Sequence, residues 1–439
     1  MMAPAFSVPR LSDRVAAALT LCGTGCTFLL PLLLFYSRAL SDVAATVIGC
    51  LFLLHSALRK DWQWTQTLWL RPAALFCGLC LISSLHIGVH GAWVQALCLP
   101  RIILFAAALE SWILVPAIRR RVLAAILFVL ALWLISQCWE QYLTGTNLMG
   151  FPPADDGALT GPFMKPRAGF TLLMLFFPAL MPVVLHALYT KRLFAWAGGG
   201  ALLLLSVATM VLIGQRMSNV LLLFGLLLTA LMVRRFRLPF VLILVGVAGL
   251  VANLPVISPP TYAKLVLKFS SQLHHFTQSD YGKLYRTAVT MVVSHPWLGL
   301  GMDGFRNFCH TPFHTDALTA LGMPPLDSDT GKGCNIHPHN YYLQIATTAG
   351  LPGLVAFGLM LACWFRTGLR ALAPMQNPQQ AMLFVMCCVV LWPVASTSAL
   401  LSFPTAGWIF MFAGWLLAAS AAAHRSGQSS STTPVCKKT

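Results

Sequence analysis

The sequence predicts an all-α polytopic membrane protein with about twelve spanning helices and one large helical loop before the tenth span. Three observations predict it. First, 58% of the 439 residues are hydrophobic, only 9% are charged, and the mean hydropathy is +0.75. A soluble domain carries roughly a quarter charged residues, so this balance excludes one, and it is far too apolar for a disordered chain. Second, the apolar runs are unbroken and reach the ~20 residues that a helix needs to cross the hydrocarbon; strands of an outer-membrane barrel would alternate instead. Third, basic clusters recur at nearly every second loop, the positive-inside pattern. The formal charge of +17 therefore reads as topology and not as a nucleic-acid surface.

Spans are expected near 15–36, 39–58, 71–88, 93–115, 122–139, 168–189, 193–213, 217–233, 238–257, 341–364, 380–398 and 403–423. With the N-terminus inside, 18 of the 29 basic residues fall on the cytoplasmic side, including the runs Arg119-Arg120-Arg121 and Arg234-Arg235. Ten fall on the outer side and Arg101 lies within a span. An even count of spans then places both termini in the cytoplasm. The first apolar run is long enough to span and no small-residue cleavage site follows it. This divides the chain into nine spans (1–257), a periplasmic loop (258–338), three spans (339–425) and a polar cytoplasmic tail (426–439). A second outer segment, 140–167, holds Pro152-Pro153 and Asp155-Asp156. A loop as long as 258–338 is usually functional; its portion 260–295 reads as amphipathic helices lying across the outer face as a cap.

Most of the 13 cysteines fall inside spans, where they act as small hydrophobes. Cys77 and Cys80 have redox-motif spacing but sit in an apolar helix. Cys309 and Cys334 lie in the outer loop, where an oxidising compartment allows a disulfide. His310 and His314, with His337 and His339 downstream, offer zinc-like spacing. With no further ligand at metal spacing beside them, separate loop histidines are the simpler reading. The 12 acidic residues are too few and scattered for a two-metal site, so no metal is expected and the chemistry falls to cations and histidines.

Cations on the outer side run against the positive-inside bias, so each needs a reason. Arg216 sits in the tight turn Gly214-Gln-Arg-Met-Ser218, Arg286 in Tyr281-Gly-Lys-Leu-Tyr-Arg286, and Arg306 in Gly299-Leu-Gly-Met-Asp-Gly-Phe-Arg306. Lys264, Lys268 and Lys283 add charge to the same loop. For the lysines, interfacial snorkelling is the stronger reading. For Arg216 and Arg286, the planar guanidinium fork suits a pyrophosphate. Next comes His337-Pro-His-Asn-Tyr-Tyr-Leu-Gln344, leading into the tenth span. Pro338 fixes the entry, His339 and Asn340 lie near the helix start, and Leu343, one turn on, is expected to point into the bundle. A histidine among arginines has its charged form disfavoured and stays able to accept a proton. The plainer alternative is a helix cap within an aromatic belt.

At this point the residues carry a resemblance. His339-Asn340-Tyr-Tyr-Leu343 resembles the H-N-x-x-L element of the O-antigen ligase and O-antigen polymerase superfamily, which closes the large periplasmic loop and opens the next span. His295-Pro-Trp-Leu-Gly-Leu-Gly301 with Phe305, the Arg216 turn and Arg286 are similar to further family elements. Gln215 stands where the family usually has Ser before the arginine, a departure that leaves the arginine intact. The resemblance covers roughly 200–365 by motif and the whole chain by topology. It implies a GT-C-like, inverting glycosyltransferase of the bacterial inner membrane that needs no metal or cofactor. The implied donor is an undecaprenyl-pyrophosphate-linked O-antigen, the acceptor a lipid A–core sugar, and membrane lipid the surroundings. His339, Arg216 and Arg286 are the implied catalytic residues, with His337, Asn340, Lys264, Lys268 and Arg306 available to substrate. An O-antigen polymerase or a protein O-oligosaccharyltransferase would share donor and motifs. A transporter built around Arg101 and Glu110 is the non-enzymatic rival.

Overall fold

A computed structural model describes residues 11–190, 192–276, 279–311, 333–373, 375–395 and 398–431. Among these every element is helical, and ten helices are long and apolar enough to cross a membrane. The chain is a multi-pass membrane protein. The long helices are α1 (Leu11–Tyr36), α2 (Arg38–Arg59), α3 (Leu70–Ile87), α4 (Ala92–Ile113), α5 (Ala117–Thr144), α6 (Ala168–Tyr189) and α7 (Leu193–Ile213). A shorter apolar helix, α8 (Arg216–Met232), and the long α9 (Arg234–Ile257) complete the first group. The segment that follows folds as α10 (259–274), α11 (Asp280–Ser294) and α12 (Gly304–Phe308). The chain then returns as α13 (Tyr341–Arg370), the short α14 (Pro378–Val390) and α15 (Thr405–Ser431).

These twelve apolar helices lie where the sequence predicts spans, with one difference. The eleventh was expected to run to residue 398, yet α14 stops at Val390. Pro393 lacks the amide hydrogen that a helix needs, and it pushes Trp392 out of helical geometry. The chain beyond is irregular. Such backbone is tolerated within a membrane domain only where protein or a cavity surrounds it, and here the start of α13 supplies that support. Asn340 Nδ2 donates to the Pro393 carbonyl (2.7 Å), the Tyr342 hydroxyl donates to the Leu391 carbonyl (2.6 Å), and Gln344 Oε1 accepts the Leu400 amide (2.8 Å). At the chain end, α15 runs on to Ser431.

The bundle core is close-packed around Trp364, Trp408, Trp415, Phe105, Phe176 and Phe177, all fully buried. α13 packs along α3, α2 along α4, and α15 against α4 and α14. Helices in lipid gain little from hydrophobic burial and need close approach instead. Gly414 of α15 shows this: an added Cβ would meet the Ala106 carbonyl at 2.7 Å. Arg101 and Glu110 inside the bundle each have a partner, a carboxylate for the first and a neutral indole for the second. Arg101 forks onto both oxygens of Asp42 (2.9 and 3.0 Å), and Glu110 accepts from the Trp69 indole (2.7 Å).

The stretch from His295 to Gly301 seats the 258–311 segment on the bundle. α13 is broken at Ala349 and Gly350, where Gly350 adopts φ +66°. The break frees the Thr347 and Thr348 carbonyls and the Leu351 amide, groups that cannot be left unsatisfied in a buried site. Leu300 N donates to Thr347 O (2.8 Å), Gly301 N to Thr348 O (2.9 Å), and Leu351 N to Pro296 O (2.7 Å). From α3, Ser83 Oγ donates to Thr348 O and accepts from Gly301 N, while Ser84 Oγ accepts from Met302 N. A side chain on Gly350 would meet the Trp297 carbonyl at 2.5 Å. The motif thus plugs a helix break. Beside it, Leu284, Ala288, Met291, Leu300, Phe305 and Cys309 form a small core of their own, and Leu343 packs against that core. The expectation that Leu343 points into the bundle is corrected: it faces the loop helices, because α11 occupies that side of α13.

Candidate active site

A cavity of about 660 Å³ opens where α1, α6, α8, α10, α11, α13 and α15 converge. That is the size of a small-ligand site. Its floor is apolar, with Phe35, Phe170, Met174, Leu221 and Trp408, and its rim carries Arg38, Arg167, Arg216, Lys264, His337 and His339.

Arg216 opens α8 at the tight α7–α8 turn, where Gly214 takes φ +75°. Gln215 before it binds across to another segment. Its Nε2 donates to the Pro166 carbonyl (2.6 Å) and its Oε1 accepts the Phe170 amide (3.1 Å). Gly169 leaves room for this, since a Cβ there would lie 2.6 Å from Gln215 Oε1. Gln215 is thus a latch between the Arg216 turn and the start of α6.

His339 stands directly before the α13 cap in the left-handed region, φ +55°. Such a conformation in a non-glycine residue costs on the order of 1–3 kcal/mol and persists only when its surroundings enforce it. The enforcement comes from Asn340, whose Oδ1 accepts the Tyr342 and Leu343 amides (3.0 and 3.1 Å) while Nδ2 holds Pro393. Both polar atoms of Asn340 are therefore engaged with backbone. The His339 ring lies edge-on to Tyr281 of α11 (5.6 Å) and 4.3 Å from the buried His337 ring. Asn335 Nδ2 lies 3.3 Å from His339 Nε2, and Asn335 Oδ1 already accepts the Ile336 amide. An amide nitrogen can only donate, so this contact matches the tautomer in which Nε2 is unprotonated.

Arg286 sits on α11 one residue beyond Tyr285, which lines the cavity, but is itself behind the lining. Its Nε and one terminal nitrogen are buried without a hydrogen-bond partner among the described residues. Lys264 reaches the cavity and pairs with Asp156 of the 140–167 segment. Burial raises the Asp156 carboxyl, but Lys264 and the Ala158 amide outweigh it and hold the group below the ordinary carboxylate range. Lys268 and Arg306 are exposed and lie outside the lining.

Sequence reasoning missed Arg38 and Arg167. Both line the cavity, from the α1–α2 corner and from the residue before α6. Burial, then the positive charge of Arg38, hold the Arg167 guanidinium below its ordinary value. The rule that singled out Arg216, a cation on the outer side, applied equally to these two.

Cys309 and Cys334 are joined in a disulfide, with Cα atoms 5.3 Å apart. Their sulfurs and a ring nitrogen of His310 are the only trio of possible metal ligands among the described residues. Cys309 stands directly before His310 in the sequence, so the expectation of no further ligand beside the histidines is corrected; folding adds Cys334. Sulfurs in a disulfide are not thiolates and do not serve as a zinc set. His314 lies outside the described residues.

The family model described as O-antigen ligase matches residues 200–358, from α7 to the middle of α13. That stretch contains Arg216, Lys264, Arg286, His337 and His339. The match points to ligase- or polymerase-type chemistry in lipopolysaccharide assembly, acting on lipid-linked polysaccharide and a lipid acceptor. No curated protein matches the chain. Arg38 and Arg167 lie outside the matched stretch and line the same cavity.

Proposed function

We propose that the cavity transfers O-antigen from undecaprenyl pyrophosphate to a sugar of lipid A–core, on the periplasmic side of the bacterial inner membrane. The observation that carries this reading is the pairing, at one apolar cavity, of cationic groups with a histidine whose Nε2 is poised as an acceptor. Arg216, on the cavity wall, neutralises the charge that grows on the pyrophosphate as the anomeric C–O bond breaks, and Arg286, behind the lining, adds its positive field, a role that oriented cations fill in low-dielectric sites. His339 Nε2, released from Asn335, takes the proton of the acceptor hydroxyl. The hydroxyl oxygen bonds to the anomeric carbon from the face opposite the leaving group. Undecaprenyl pyrophosphate departs with the bonding electrons, and the anomeric configuration inverts.

A path for the prenyl chain supports the donor. A second cleft of about 150 Å³ starts at Arg216 and Phe269, which also line the main cavity, and runs between α7, α8 and α9 past Val207, Leu223, Val247 and Val251. α9 has only Phe236, Ile243 and Leu254 buried and presents most of its remaining apolar surface outward. A polyprenyl tail in this cleft would meet lipid on leaving it.

Cell-envelope analysis of a deletion strain tests the function. Uncapped core with retained lipid-linked polymer is the expected result. Accumulated single repeat units would make the protein a polymerase, and an unchanged surface glycan would end both readings. Transfer by the purified protein should persist in excess chelator; inhibition reversed by a divalent ion would show that the arginines do not replace a metal.

A further inference from the structure

We propose that Arg38 and Arg167 form a second phosphate-binding site in the same cavity, with Gln215 as the residue that positions Arg167. The inference rests on the cavity being the site of glycan transfer, and goes beyond it by assigning ligand contacts to residues outside the matched stretch.

Four observations carry it. Both guanidinium-bearing residues line the cavity, yet they arrive from separate parts of the chain, the start of α2 and the residue before α6. Neither side chain forms an ion pair or hydrogen bond among the described residues. They are close enough that the charge of one disfavours the charge of the other. Two guanidinium groups brought together without a carboxylate cost free energy in the empty protein, and an anion seated between them relieves that cost. Finally, the arrangement is held in place: the Gln215 side chain bonds Pro166 and Phe170, on either side of Arg167, and so fixes that segment to the Arg216 turn.

The ligand class is a phosphate or pyrophosphate on a lipid-linked sugar. Two substrates of the proposed reaction can bring one: the pyrophosphate of the donor, or phosphates carried by the acceptor glycolipid. The site offers guanidinium forks, which grip phosphate oxygens in pairs, and its surroundings at Leu34, Phe35 and Trp408 suit the apolar part of either molecule.

The test measures binding to the full-length protein in lipid nanodiscs. The probes are undecaprenyl pyrophosphate, a phosphorylated rough lipopolysaccharide, and the same lipopolysaccharide after chemical removal of its phosphates. In the Arg38→Gln/Arg167→Gln variant, affinity for one of the two phosphate-bearing ligands should fall roughly ten- to a hundredfold, the scale of lost charged hydrogen bonds. Loss confined to undecaprenyl pyrophosphate assigns the site to the donor. Loss confined to the phosphorylated glycolipid, with the dephosphorylated form bound as before, assigns it to the acceptor. The Arg38→Lys/Arg167→Lys variant keeps charge and fold and should retain part of the affinity. Gln215→Ala should lower the affinity ratio of phosphorylated to dephosphorylated ligand, a readout that mere loosening of the fold would not move. Unchanged affinity for both phosphate-bearing ligands in the folded double variants overturns the proposal. Arg216→Gln and Arg286→Gln, run beside them, separate the two readings: if they bind donor normally, the donor clamp fails while a loss at Arg38 and Arg167 still stands.

Discussion

Arg101 and Arg286 are both guanidinium groups held against apolar surroundings, and they differ in what faces them. Arg101, within the bundle, spends its fork on Asp42 and a further nitrogen on the Cys98 carbonyl. Arg286, on the loop helix α11, has two buried nitrogens that no acceptor among the described residues meets. A buried charge that is matched inside the protein belongs to the architecture, since removing one partner strands the other. A charge left unmatched beside a cavity is a cost the fold retains for something that arrives later. By this measure Arg101 is structural, which weakens the transporter reading, and Arg286 is the arginine set apart for a later-arriving partner.

The largest expected effect breaks the comparison on the functional side. Arg286→Ala or Arg216→Ala should reduce glycan transfer by about 10²–10³-fold, the range for a lost electrostatic stabiliser. The unfolding midpoint of the Arg286→Ala protein should stay near that of the unaltered protein. Lysine should rescue partly, because it keeps the charge without the fork. A stability loss that tracks the activity loss would make Arg286 another Arg101.

Next comes the seat between the two regions. Gly350→Ala places a side chain against the Trp297 carbonyl at a left-handed φ. It should cost about 2–4 kcal/mol and release the 295–301 stretch. Denaturation in detergent and hydrogen exchange over 296–302 measure this; normal protection there would mean the break in α13 is satisfied in another way.

On the structural side, Asp42→Asn should destabilise by roughly 1.5–3 kcal/mol, the range for charged hydrogen bonds. Transfer per folded molecule should stay within about twofold. A large activity defect in folded Asp42→Asn protein would undo the division between structural and functional arginines.

The smallest effect concerns Lys264, the cavity cation with a carboxylate partner. Its partner Asp156 is held below its ordinary pKa, so the contact adds stability above about pH 4. That contribution disappears as pH falls through the lowered value. Hydrogen exchange over 263–267 should quicken modestly between pH 6 and pH 3, and Asp156→Asn should remove the difference.

Much of the fold was legible because lipid imposes length and composition on every span. Where the sequence misled, a local signal competed with a tertiary one. Pro393 ends α14 early, although the apolar run continues past it. Leu343 has the apolar character of a bundle residue, but α11 packs on that side of α13 and gives it another core. In the site, Arg216 and His339 were readable since a tight turn and a helix entry mark them. Arg38 and Arg167 carried only the general signal of an outer-side cation, because neither lies in a motif and only folding brings the α1–α2 corner to the start of α6. Gln215 read as a departure from a pattern; its two hydrogen bonds to a segment some 45 residues away are invisible in sequence.

The central claim is the division of labour in which arginines hold the leaving pyrophosphate and His339 activates the acceptor. Its most direct test measures donor binding and single-turnover transfer separately in His339→Ala. Near-normal binding of the lipid-linked glycan, with transfer reduced by about 10²–10⁴-fold and no rescue by His339→Arg, is the predicted result. Abolished donor binding, with unchanged transfer from whatever donor does bind, would contradict it and place His339 in the pyrophosphate clamp.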